Sequence, residues 1–275
     1  MATPIGNAAD ITLRGLATLR AATVIACEDT RTTAKLLAIH GVSRPLIAYH
    51  EHNAALSGPA ILARLEAGEA VALVSDAGTP LVSDPGYRLV RRCVEAGLPV
   101  IPIPGPSALL AALSVSGLPT DRFLFAGFPP PRQAARRRFL EALSRIETTL
   151  VLFEAPQRLA ASLADMAEIF GPREAAVCRE LTKLFEEVRR SPLPDLARRY
   201  AEEGAPKGEV CLVIAPPPPA DGASDAELDA LIEEALEAEG SVRSAADRVA
   251  AASGRPRREV YARALALRRD RDAGA

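Results

Sequence analysis

Tryptophan is missing from this 275-residue sequence, which carries only four tyrosines and seven phenylalanines. So few aromatics exclude a recognition surface built from a sheet of base-stacking rings. Cysteine is also scarce. Cys27, Cys93, Cys178 and Cys211 lie far apart and form no C-x-x-C pair, which argues against a zinc site. Each falls in an apolar run, the pattern of reduced, buried thiols in a cytosolic protein. No apolar run reaches the roughly 20 residues of a membrane span. The first residues lack the charged-then-apolar order of a signal peptide. A cytoplasmic location without membrane attachment is therefore expected.

Neither sign of charge dominates: 33 basic residues face 35 acidic ones, a formal net charge of −2. A nucleic-acid partner would have to be held by local basic patches. The sequence contains neither G-x-G-x-x-G between a strand and a helix nor a Walker phosphate loop. Both absences weigh against a dehydrogenase and a nucleoside triphosphatase. Histidine occurs only at His40, His50 and His52. The His50-Glu51-His52 triplet has no third ligand in sight, so it reads as a polar loop, and no metal is expected.

What is present is a 48% apolar chain, long enough for two compact domains or one large one. Strand-like and helix-like segments alternate through the first two-fifths. Asp10 is a candidate N-cap for the first helix. Strands are expected at 23–26, 46–49, 70–74 and 100–103. Helices are expected at 32–40, after a Ser57 cap, at 87–96 and at 108–115. Such βαβ alternation predicts a mainly parallel sheet covered on both faces. A linker is expected around 116–121. A second α/β domain with a mixed sheet follows, with strands at 122–126, 149–153, 175–179 and 210–214. Helices at 132–145, 159–170 and 196–203 sit between them. The proline run opening Pro216–Ala223 marks a further linker. Beyond it, helices are expected at 225–239, 242–252 and 257–269, broken at Gly240 and at Ser253-Gly254. The expected domains are thus 1–116, 117–215 and 224–275.

Four loops rich in Gly or Pro stand at expected strand ends or helix starts: 2–7, 75–80, 83–86 and 104–108. Small residues let backbone N–H and C=O groups approach a ligand. Open α/β sheets bind ligands beyond the carboxyl ends of their strands. One such loop is ordinarily a tight turn; several in one domain point to a site. Charged groups also cluster at strand ends, in Glu28-Asp29-Thr30-Arg31, Glu154 with Arg158, and Glu180 with Lys183. Each set alone reads as a capping ion pair, but together they suggest a polar cleft.

These segments carry a resemblance. ATPIGN (2–7), DITLR (10–14), EDTR (28–31), SDAGTPLVSDPG (75–86), PGPSA (104–108), FEAPQR (153–158), ELTK (180–183) and KGE (207–209) occur in order. The chain resembles the ribosomal-RNA 2′-O-ribose methyltransferase branch of the tetrapyrrole methylase family. EDTR combined with SDAGTPLVSDPG is the most specific part of the match. The resemblance implies two αβα domains of the tetrapyrrole methylase type with a small C-terminal helical domain. It implies S-adenosyl-L-methionine in the cleft and a homodimer. It also implies methylation of a cytidine in helix 44 of 16S rRNA, at the decoding centre of the 30S subunit. The implied cofactor contacts are Thr3, Pro4 and Gly6, Asp76, Ala77 and Gly78, Ser107 and Ala108, and Phe153 with Glu154. In this branch a strand normally precedes the ATPIGN loop, so the reading frame is expected to begin upstream of Met1.

Deprotonating a ribose hydroxyl calls for a base. Glu28, Asp29, Glu154 and Lys183 are candidates, with Asp29 and Glu28 ranked first and Arg31 as a phosphate or carboxylate clamp. RNA contacts are expected from Arg136, Arg137 and Arg138, next to Arg132, and from Arg257, Arg258 and Arg263, within a cluster that includes Arg255, Arg268 and Arg269. Solvated helix faces would look the same, and the last three helices could instead cap a dimer. Two other readings stay open: a small-molecule methyltransferase of the same fold, and a non-catalytic ribosome-assembly factor that keeps the pocket.

Overall fold

The computed structural model describes residues 1–218, 225–239, 241–253 and 255–273. The expected breaks at Gly240 and Gly254, and most of the expected linker, lie outside the described residues. The chain divides into two compact units, Met1–Pro216 and Pro217–Ala275.

The first unit holds two sheets. The first sheet is parallel, in the order β2-β1-β3: β1 (Val24–Cys27), β2 (Leu46–Ala48) and β3 (Val71–Val74). All four residues of β1 are buried, as expected for the centre of a sheet covered on both faces. Around it run α1 (Leu13–Ala21), α2 (Thr30–Ile39), α3 (Ala54–Glu66) and α4 (Tyr87–Glu95). Leu19, Ile25, Leu37 and Val74 fill one side of this sheet; Ala26, Tyr49, Ile61 and Leu89 fill the other.

Three local expectations differ from the structure. Asp10 closes a 3-10 turn, and Thr12 caps α1 instead, its hydroxyl accepting from the Gly15 N–H. Asn53, not Ser57, precedes α3, which carries Pro59 within it. Residues 100–103 form no strand. Their one backbone link to the sheet region is the Ala2 N–H donated to the Ile103 carbonyl, while the Met1 ammonium donates to Leu73 O at 2.7 Å. A strand needs a ladder on at least one edge, and this segment has that single backbone bond, with the Arg14 guanidinium donating to Pro102 O at 2.9 Å.

The second sheet has the order β4-β5-β8-β6-β7. Its strands are β4 (Phe123–Gly127), β5 (Thr149–Glu154), β6 (Glu174–Arg179), β7 (Glu187–Pro192) and β8 (Val210–Ile214). Only β4 and β5 pair in parallel; the other pairs are antiparallel. β7 is absent from the expected set. It reads EVRRSP, a charged edge strand whose Glu187 and Arg189 are partly buried in ion pairs, and its charges hide a strand pattern.

α6 (Gln133–Ser144), α7 (Leu159–Phe170) and α8 (Leu193–Glu203) cover one face of this sheet through Leu140, Leu163, Met166 and Leu196. The other face is covered by α5 (Ala108–Ser116), whose Ala112 and Leu113 pack on Val151, Ala176 and Val213. The expected boundary after Ser116 gives α5 to the first domain, yet its buried face belongs to the second sheet.

The second unit contains α9 (Asp225–Glu239), α10 (Val242–Ser253) and α11 (Arg257–Ala273). Leu228, Ile232, Ala246, Val249, Val260 and Ala264 form its core.

Candidate functional site

A cavity of about 360 Å³ opens where both sheets of the first unit end. The loop after β3 forms one wall with Asp76, Ala77, Gly78, Thr79 and Asp84. Ser107 and Ala108, at the start of α5, form the back. Phe128, Phe153 and Glu154 come from the carboxyl ends of β4 and β5. Cys178, Val210 and Cys211 come from the adjoining ends of β6 and β8. This is the crevice beyond strand ends that open α/β sheets use for ligands.

The loop after β3 is held in an uncommon backbone shape. Gly78 has φ +76°, Leu81 +72° and Ser83 +63°. Non-glycine residues in this region cost about 1–3 kcal/mol each and persist where the surroundings over-determine them. Thr3 supplies part of that determination. Its backbone exchanges hydrogen bonds with Gly78 at 2.9 and 3.0 Å, and its buried hydroxyl donates to Ser75 O at 3.1 Å. Thr3 and Pro4 are buried behind the loop, and Ile5 is the member of ATPIGN that reaches the cavity. Gly6 packs against Lys183, whose Cγ would lie 2.3 Å from an added Cβ.

The cavity is mostly apolar, with aromatic stacking along one side. Phe153 lies 4.9 Å from Phe125 and 5.5 Å from Phe128, ring centre to ring centre. Four carboxylates line it: Asp76, Asp84, Glu154 and Glu209. Three are engaged. Asp76 accepts the Asp29 N–H at 3.0 Å. Glu154, fully buried, accepts the Ala155 N–H at 2.7 Å, pairs with Arg158 at 2.6 Å and accepts the Ser162 hydroxyl. Glu209 pairs with Lys183 at 3.0 Å. Asp84 has no cation beside it. Burial, then the nearby Glu28 carboxylate, pushes its pKa up to about 6.

The expected bases behave differently from one another. Asp29 caps α2 and is clamped by Arg31 at 2.6 Å, and the hydrogen bonds from Arg31 lower its pKa to about 2. Lys183 is bound by Glu180 at 2.7 Å and by Glu209. Burial works to lower its pKa, but those hydrogen bonds win and hold it above the usual lysine range, so it stays a cation. Glu28 is half-buried and raised, first by burial and then by Asp76. Glu28, Asp29, Arg31 and Lys183 do not line the cavity, whereas Asp76, Ala77, Gly78, Ser107, Ala108, Phe153 and Glu154 do. Asp84, Thr79 and Phe128 escaped the sequence reading as site residues, although Asp84 stands in a loop already marked by its turn residues.

The expected RNA-contacting arginines are unequally exposed. Arg136 does not fit the RNA role expected of it: at 4% exposure it is buried on Asp165, 2.7 Å away, and cannot reach an external phosphate. Arg137 shares Asp165 and also pairs with Glu168. Arg138 is exposed. In the second unit Arg257 pairs with Asp247 and Arg263 with Asp229. Arg258 is exposed and makes no ion pair among the described residues. The described residues hold no cluster of metal-ligating side chains and no helix long and apolar enough to cross a membrane.

This two-sheet architecture is that of known solved structures. It superposes on diphthine synthase with a TM-score of 0.62 at 17% identity, covering 78% of this chain and 88% of that one. For the uroporphyrin-III-C-methyltransferase from Thermus thermophilus the TM-score is 0.56 at 23% identity, covering 78% and 91%. These likenesses establish the fold. The profile of Tetrapyrrole (Corrin/Porphyrin) Methylases matches residues 2–197, and the chain belongs to that family. A second profile, the RsmI C-terminal HTH domain, matches residues 222–268.

A Mesorhizobium japonicum protein named Ribosomal RNA small subunit methyltransferase I is 51% identical over 271 residues, covering 98% of this chain and 91% of that protein. Its namesake from Synechocystis is 47% identical, covering 98% of each. Methyltransferases of this family use S-adenosyl-L-methionine. The cleft fits such a molecule. Its volume lies within the range of small-ligand sites. Its walls join aromatic and apolar surface with a bare backbone at Gly78 and a carboxylate at Asp76.

Proposed function

We propose that this chain methylates small-subunit ribosomal RNA with S-adenosyl-L-methionine, at the ribose 2′-hydroxyl of a cytidine in helix 44 of 16S rRNA. One observation carries the reading. The two motifs that set this sequence apart, EDTR and SDAGTPLVSDPG, meet in space: the Asp29 N–H is held by the Asp76 carboxylate on the wall of the cleft. The names of the relatives and the match to a helix-turn-helix tail support the RNA substrate. The cytidine and the 2′-position rest on the motif resemblance.

In this reading the cofactor lies against Asp76–Gly78, Ser107–Ala108 and Phe153–Glu154. Thr3 and Pro4 brace the first loop from behind, and Gly6 leaves room for Lys183. When bound, the cofactor supplies a methyl group activated on a sulfonium. The protein's part is to align an acceptor oxygen in line with that methyl; such positioning contributes roughly 7–11 kcal/mol. Glu154 and Arg158 fix the end of β5. The clamped Asp29–Arg31 pair sits at the side of the cleft, where a guanidinium can meet a phosphate. The domains divide before α5 and again in the proline run, and the enzyme works in the cytoplasm as a homodimer on the 30S subunit. Mapping the product tests the position. Nuclease digestion and mass spectrometry of treated 16S rRNA should show one 2′-O-methylcytidine in helix 44. A methyl group on a base, or elsewhere in the RNA, would contradict the assignment.

A further inference from the structure

Of the four carboxylates that line the cleft, three already have strong partners. Asp76 holds the Asp29 backbone. Glu154 is sealed by Ala155, Arg158 and Ser162. Glu209 is paired with Lys183. Asp84 faces the cavity with only the Ser75 hydroxyl as a hydrogen-bond partner and no cation beside it. The charged groups facing it are Glu28 and Asp76, both acidic, and His50 acts on Glu28. Its backbone is constrained on both sides, by Ser83 at φ +63° before it and by Pro85 after it.

We propose that Asp84 is the general base that takes the proton from the acceptor hydroxyl during methyl transfer. This rests on the reading that the acceptor is a ribose 2′-hydroxyl. The O–H bond breaks and its proton moves to an Asp84 carboxylate oxygen. The freed electron pair forms the new O–CH₃ bond. The C–S bond of the sulfonium donor breaks with its electron pair left on sulfur, giving a neutral thioether. Asp84 then passes the proton to water. A carboxylate ionising near 6 is a stronger base than an ordinary aspartate, yet is still mostly ionised at neutral pH. Burial first, then the Glu28 and Asp76 carboxylates, give it that character.

The test compares wild type with Asp84→Asn and Asp84→Glu, using 30S subunits that lack the modification. In Asp84→Asn, kcat should fall about 100-fold or more. Calorimetric affinity for S-adenosylhomocysteine should stay within about threefold, which also shows that the variant is folded. The wild-type rate should rise with pH through about 6, as Asp84 loses its proton. That limb should vanish in Asp84→Asn and persist at lower rate in Asp84→Glu. Carboxyl NMR of the wild type should show one group titrating near 6 that is missing from Asp84→Asn, a readout that needs no substrate.

A variant keeping more than a third of wild-type kcat, or keeping the limb near 6, overturns the proposal. So does loss of S-adenosylhomocysteine binding in step with rate, which would make Asp84 a cofactor ligand. A wild-type protein inert toward subunits sinks the functional reading itself, and the proposal with it. That failure is told apart by the wild-type assay alone.

Discussion

At the cleft, single residues trade stability for reactivity. Asp84 is an acid whose folded pKa lies above its unfolded value, so the folded state binds its proton more tightly. Folding stability contributed by this group is therefore lost as pH rises from about 4 through about 6. Asp84→Asn removes that penalty. The variant should be more stable than wild type at pH 8 by about 1 kcal/mol, once solvent screening of a half-buried carboxyl is allowed for, with no advantage at pH 4. Denaturant melts at the two pH values check this, and equal stability at pH 8 would contradict it. Gly78 is the other sensitive point. Its positive φ disfavours any side chain, and an added Cβ would stand 3.4 Å from Ile5 in the wall of the cavity. Gly78→Arg should abolish calorimetric binding of S-adenosylhomocysteine, and unchanged binding would remove this loop from the cofactor site. The importance of Gly78 could be read from its turn motif. That of Asp84 could not, because its basicity comes from burial and then from Glu28 and Asp76, both of which only the fold supplies.

Among the elements, the buried Arg136–Asp165 pair ties α6 to α7, with Gln133 also donating to Asp165. Burial alone would raise the pKa of Asp165, but hydrogen bonds from Gln133 and Arg136 hold it below the usual range. Removing one partner strands the other. Arg136→Ala should destabilise the protein by about 3–5 kcal/mol in thermal unfolding and leave the salt dependence of RNA binding unchanged. A changed salt slope with little loss of stability would return Arg136 to the RNA surface. Arg258, exposed on α11, is the opposite case. Arg258→Ala should flatten the salt dependence of RNA binding by about one unit, measured by filter binding across ionic strengths, and an unaltered slope would take it out of the interface. Elements with strong apolar periodicity were legible from sequence. The expected bounds of α7 and β8 agree with the structure residue for residue. The charged edge strand β7 was not, and nothing in a run of arginines tells a buried one from a solvated one until its partner on another helix is in place.

Taken whole, the molecule joins a unit that forms a cleft to a helical unit with its own core. Every residue lining the cavity belongs to Met1–Pro216. Truncation after Ala215 should therefore leave S-adenosylhomocysteine affinity nearly intact while methyl transfer to the subunit falls steeply. Loss of cofactor binding on truncation would show that the units depend on each other. The α/β class and most of the cleft wall were readable because loops at strand ends carry the small residues that ligands require. The floor contributed by β6 and β8 was not, since Cys178, Val210 and Cys211 read only as buried strand residues. The central claim is methyl transfer from S-adenosyl-L-methionine to small-subunit RNA, and tritium-labelled donor tests it most directly. With 30S subunits from a strain lacking the enzyme, close to one methyl group per subunit should be incorporated into 16S rRNA, and none into subunits already modified. Labelling of a tetrapyrrole instead, or no labelling by a protein that binds the donor, would contradict the account.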